Sequence, residues 1–115
     1  MLLKVDSVSS QPIHEQLAGQ LRKAIASGDP APGDRLPPAR ELAESLGVNV
    51  HTLLRAFSTL RDEGLLEVRR GRGTIVTDAA PTLIDLVALA RQYVAEARRA
   101  GLTNTDIRST LEGQL

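Results

Sequence analysis

Cysteine is absent from this chain of 115 residues, which excludes a disulfide framework and thiolate metal sites and accords with a reducing compartment. Aromatic side chains are almost absent: Phe57 and Tyr93 are the only ones, too few for a platform that stacks single-stranded nucleic acid. The two histidines, His14 and His51, fall in separate stretches and give a metal site little to build on. Net charge is lacking as well, because 14 basic side chains balance 14 acidic ones. Any electrostatic partner must therefore be met by local clustering. No apolar run approaches the roughly 18 residues that a membrane span needs. The opening "MLLKVDSVSS" turns polar after its first three residues, unlike a secretory leader. The glycines fit no G-x-x-x-x-G-K-[ST] phosphate loop, and no serine or threonine is marked as an activated nucleophile. The expectation is a soluble cytoplasmic chain, away from membranes, with no enzymatic activity, no metal and no cofactor.

What is present is helical periodicity. Ile13, Leu17, Leu21, Ala24 and Ile25 recur on one helical face, with Pro12 suited to the first turn and Gly28 as a stop. "DPAPGDRLPP" reads as a loop, with Pro32-Gly33 in the order that a type II turn favours. A second helix starts near Pro37 or Pro38, turns Leu42, Ala43 and Leu46 inward and ends at Gly47. Asn49 is suited to cap a third helix. At 100° per residue, Leu53, Phe57 and Leu60 share one face of it. His51, Arg55 and Ser58 share the opposite face, with no acid before Asp62. After Gly64, "LLEVRRGRGTIVT" reads as two short strands joined at an arginine-glycine tip.

Two helices joined by a short glycine-containing turn suggest a helix-turn-helix, a unit that also occurs in proteins binding no nucleic acid. The cationic hairpin tips the balance. Backbone N–H groups at glycines and arginine side chains suit phosphate oxygens, and an arginine can enter a minor groove. The alternative is a solvated turn whose glycines serve geometry alone.

The stretch "GDRLPPARELAESLGVNVHTLLRAFSTLRDEGLLEVRRGRGTIV" resembles the winged-helix DNA-binding domain of the GntR family of bacterial transcription regulators. The likeness covers roughly residues 11–78, and the short tail is similar to that of the YtrA-type branch. The resemblance implies a mainly α fold with a small β hairpin: a winged helix-turn-helix over 11–78, then a helical dimerisation tail over 79–115. It implies that Arg35 and Arg40 approach the DNA backbone or bases. It places Asn49, His51, Thr52 and Arg55 at the major groove, and Gly73 with Arg70 and Arg72 at the minor groove. Each has a plainer reading. Arg40 could pair with Glu44 on its own helix, His51 could be a solvated side chain, and Asn49 and Thr52 could serve as caps. The sequence departs from many relatives at Val50 and Leu54, where arginine, or proline at the former, is common. These two either offer apolar contact to a thymine methyl or pack within the domain.

Beyond Asp78, "AAP" reads as a short joint. Thr82 with Asp85, and Thr103 with Asp106, have capping-box spacing. Leu83, Val87, Ala90, Val94 and Ala97 form an apolar seam, Gly101 ends that helix, and Ile107 and Leu111 face inward from a last one. A helical hairpin of under 40 residues is too small to be stable alone. It must bury its seam on its own winged helix or on a second copy, and the two-fold homodimer is the expectation. The resemblance implies a regulator that recognises a palindromic operator in double-stranded DNA and represses by occlusion, with any small-molecule effector unspecified. A winged-helix adaptor for another protein, or the leading part of a longer regulator, are the alternatives.

Overall fold

The computed structural model of the chain describes residues 2–115. Five helices and one hairpin follow one another: α1 (Ile13–Ser27), α2 (Ala39–Leu46), α3 (Val50–Asp62), β1 (Leu66–Arg69), β2 (Gly73–Val76), α4 (Ala80–Arg99) and α5 (Asn104–Glu112). The mainly α fold with a small antiparallel hairpin is as the sequence leads one to expect. The chain forms two compact units, one ending at Ile84 and the other spanning Asp85–Leu115.

In the first unit the predicted stripes meet in one core. Leu17, Leu21 and Ile25 of α1 are buried, and so are Leu53, Ala56, Phe57 and Leu60 of α3. Each large side chain of this set contributes about 1.5–3 kcal/mol on burial. Of α2 only Ala43 is fully buried, with Leu42 and Leu46 half-buried. Gln16 is the buried polar residue of the set, and it is satisfied: its amide donates to the carbonyls of Asp6 and Gln11 at 2.9 and 2.8 Å. Its Oε1 accepts from the Asp6 N–H at 2.9 Å, tying the segment before α1 to the helix.

The segment expected to be a loop does more than connect. Gly33, at φ +85°, makes the turn in which the Asp34 N–H donates to the Ala31 carbonyl at 2.9 Å. Beyond that turn the chain pairs with β2. Gly33 donates to Val76 at 2.9 Å, Val76 to Asp34 at 3.0 Å and Leu36 to Thr74 at 2.8 Å, around an antiparallel bridge between Arg35 and Ile75. The prolines on either side conceal this edge, because only the four residues between Pro32 and Pro37 can offer N–H groups to it. With β1 on its other side, β2 has both edges paired. Ile75 and Val76, which point to opposite faces, are both fully buried.

At the end of α3 the chain turns through Gly64, at φ +83°. A Cβ added there would sit 2.9 Å from Leu83 Cδ1. Thr77 Oγ1 closes the corner by donating to the Gly64 carbonyl at 2.7 Å. Gly64→Ala should therefore destabilise the fold by about 1–3 kcal/mol, through left-handed strain and collision together. Thermal melting checks this, and an unchanged midpoint would show that Leu83 and the backbone yield without cost.

The tail departs from expectation at its start. The joint is shorter than expected: Ala79 still lies in a turn, but α4 begins at Ala80, which is fully buried, and includes Pro81. Thr82 is inside the helix, its N–H donating to Ala79 at 3.0 Å, so the expected Thr82–Asp85 capping box does not form. The first helical turn is fixed instead by the buried Ala80 and by Pro81, whose ring suits that turn. The other box is present. Asp106 accepts from the Thr103 N–H at 2.9 Å, and Thr103 Oγ1 accepts from the Asp106 N–H at 3.2 Å. The bond from the Thr103 backbone first, and then the Thr103 hydroxyl, hold the Asp106 carboxyl below its usual range. Within the second unit only Ala97 and Ile107 are buried.

Candidate nucleic-acid interface

The start of α3 is built by its own cap. Asn49 Oδ1 accepts from the His51 N–H at 2.8 Å, satisfying one of the donors left open at the start of α3. Asn49 thus fills the capping role its position suggests. With Leu53, Ala56 and Phe57 facing the core, His51 and Arg55 are exposed and Thr52 is half-buried. Leu54, beside Arg55, keeps 44% of its surface. It is thus partly covered and partly open to solvent, and Val50 is half-buried at the first position of the helix.

A second set of groups converges between α2 and the hairpin tip. Arg35, Pro38, Gly71, Arg72 and Gly73 line an open cleft of about 290 Å³. Arg35 lies across the tip: its Cδ and Nε are each 4.0 Å from where a Gly73 Cβ would stand. The pairing of residues 33–36 with β2 is what carries Arg35 there. Pro38 precedes α2 and offers no side-chain cap, so the first N–H groups of that helix have no intrahelical partner. Two guanidinium groups and an uncapped helix start suit an anionic oxygen. Arg40 is exposed one residue inside the same helix.

Charge pairing separates the arginines into two classes. Among the described residues, Arg22 pairs with Glu63, Arg69 with Glu67 and Arg99 with Glu96. Arg35, Arg40, Arg55, Arg70 and Arg72 have no acidic partner among the described residues and are exposed, as are Arg61 at the end of α3 and Arg91, Arg98 and Arg108 in the tail, so it is the grouping of the first five around α2, α3 and the hairpin tip that distinguishes them. The alternative pairing of Arg40 with Glu44 is not formed. Arg69, part of the same basic run, is matched by Glu67 on its own strand at 2.7 Å. The spacing Glu67-x-Arg69 on one strand face is the signal for it.

The seam residues are distributed differently. Leu83 sits at the Gly64 corner in the first unit. In the second, Val87 and Val94 are half-buried, Ala97 and Ile107 buried, and Ala90 and Leu111 exposed. Leu86 and Leu89, which the seam omits, keep 57% and 61% of their surface.

The description "bacterial regulatory proteins, gntR family" belongs to a family model that matches residues 13–76. The chain belongs to that family. Among similar proteins, the HTH-type transcriptional repressor YtrA of Bacillus subtilis is 39% identical over 88% of this chain and 82% of its own length. Among solved structures, YtrA from Sulfolobus acidocaldarius, a GntR-family transcription factor, superposes with a TM-score of 0.65. It is 33% identical and covers 96% of this chain and 93% of its own. A structure of AraR(DBD) in complex with operator ORX1 is 29% identical with a TM-score of 0.59, covering 67% of this chain and 99% of that one. The family match spans α1 to β2, the winged helix-turn-helix of this GntR-family chain. Among the described residues, no helix is long and apolar enough to cross a membrane.

Proposed function

We propose that this chain is a cytoplasmic, non-enzymatic regulator that binds a palindromic operator as a homodimer and represses transcription from it. The observation that carries the DNA reading is the set of exposed arginines without acidic partners on the α2 start, α3 and the wing. On this reading α3 enters the major groove with His51, Thr52 and Arg55, while Arg35, Arg40, Arg70, Arg72 and Gly73 lie along the phosphates and the minor groove. The operator complex of AraR(DBD) and the repressor name of the Bacillus subtilis relative support the assignment. The homodimer is supported by the tail, whose two buried side chains cannot form a core.

The wing supplies the test. Arg70→Ala with Arg72→Ala should weaken binding to every duplex and lower the log–log salt slope by about one unit for each lost phosphate contact. Titrations at several salt concentrations measure it. An unchanged affinity and slope would remove the wing from the DNA and favour a protein partner.

A further inference from the structure

The corner at which α3 passes into the wing is held from outside by α1. Glu63, which ends α3, accepts two hydrogen bonds from Arg22: Nε to Oε1 at 2.8 Å and Nη2 to Oε2 at 2.7 Å. The partners are 41 residues apart in sequence. Their side chains keep only 11% and 18% of their exposure. A two-pronged guanidinium–carboxylate pair fixes orientation as well as distance. The next residue, Gly64, turns the backbone, and its carbonyl is held by Thr77 from the far end of the hairpin. Leu65 and Leu66 then lead, fully buried, into β1.

Two surfaces assigned to DNA therefore diverge from one short joint, and Arg22 holds that joint although α1 carries none of the assigned contacts. We infer that Arg22 and Glu63 are positioning residues for DNA reading, setting the angle between α3 and the wing so that both engage one duplex. The inference rests on the DNA-binding reading. Base contacts tolerate displacements of only about 0.5 Å, whereas phosphate attraction falls off slowly with distance. Loosening the joint should consequently cost selectivity before it costs charge-driven binding. A bridge that only stabilises the fold would leave the selectivity of the folded molecules untouched.

The test uses the full chain, a duplex that the wild type selects from a randomised library, and a scrambled duplex of the same composition. Binding is measured well below the melting temperature of every variant. In Arg22→Ala and Glu63→Gln the ratio of selected to scrambled affinity should fall about tenfold, with the salt slope on both duplexes unchanged. The swap of Arg22→Glu with Glu63→Arg should recover most of the ratio. Arg22→Lys retains the charge and loses the fork, and should show a smaller loss of the same kind. It carries the test if Arg22→Ala does not fold. A lower melting temperature with an unchanged ratio overturns the inference. A parallel loss on both duplexes with a shallower salt slope also overturns it, because Arg22 would then be a phosphate contact. If the wild type selects no duplex, the DNA-binding reading fails and takes the inference with it.

Discussion

A chain carrying Leu86→Glu and Leu89→Glu is expected to sediment as a monomer and to lose about 10²–10³-fold in operator affinity. The loss follows from giving up two-site attachment, since linking two binding modules raises apparent affinity by about 10²–10⁴-fold without any new contact. Leu83, Leu86, Val87, Leu89, Ala90, Tyr93, Val94 and Ala97 occupy an arc of roughly 160° on α4 at 100° per residue. That arc is wider than the seam read from the sequence. Leu86 and Leu89 keep more than half their surface within the single chain, so a glutamate there can reach solvent in the monomer while placing charge in the proposed two-fold contact. Sedimentation at concentrations spanning the DNA-binding range measures the result, with the melting temperature as a control for folding. If the variant remains dimeric, association does not run through this face of α4. If the wild type is monomeric throughout, the tail has another use.

The parts legible in the sequence were those fixed by local pattern. Leu17, Leu21 and Ile25, or Leu53, Phe57 and Leu60, announce a buried face by spacing alone, and Asn49 and Thr103 announce helix starts by their capping chemistry. What stayed hidden depends on partners distant in sequence. The strand at 33–36 exists only because β2 offers it an edge, and its prolines argue locally for a loop. The start of α4 at Ala80 goes with the full burial of that residue, which the Thr82–Asp85 spacing does not announce. Nothing local marks Arg22 and Glu63 as a pair. Arg69 shows the same limit in reverse: a basic run suggests one electrostatic site, yet one member is matched by Glu67. The candidate site was legible as a set of residues, but the cleft joining Arg35 to the wing tip was not, because that juxtaposition is made by the hidden strand.

Arg55→Ala should separate base reading from charge. Arg55 lies in the second turn of α3, opposite the buried Leu53 and Phe57, exposed and with no acid paired to it among the described residues. A guanidinium in the major groove that bonds a guanine through both prongs contributes about 1–3 kcal/mol of discrimination. The substitution should thus cost about 5–150-fold on the selected duplex and relax the preference at one base pair of each half-site, with a much smaller loss on scrambled DNA. The wing variants should lose affinity evenly across sequences, so the two patterns are distinguishable in one selection experiment. Leu54 sharpens the test. Exposed at 44% next to Arg55, it can offer a thymine methyl an apolar contact but cannot bond a guanine. Leu54→Arg should therefore move one position of the selected site toward guanine while leaving the position read by Arg55 unchanged. Should Arg55→Ala weaken selected and scrambled duplexes equally, Arg55 is a phosphate contact. Should Leu54→Arg then fold normally and select an unaltered site, the first two turns of α3 do not lie in the groove, and base reading must be sought on the wing.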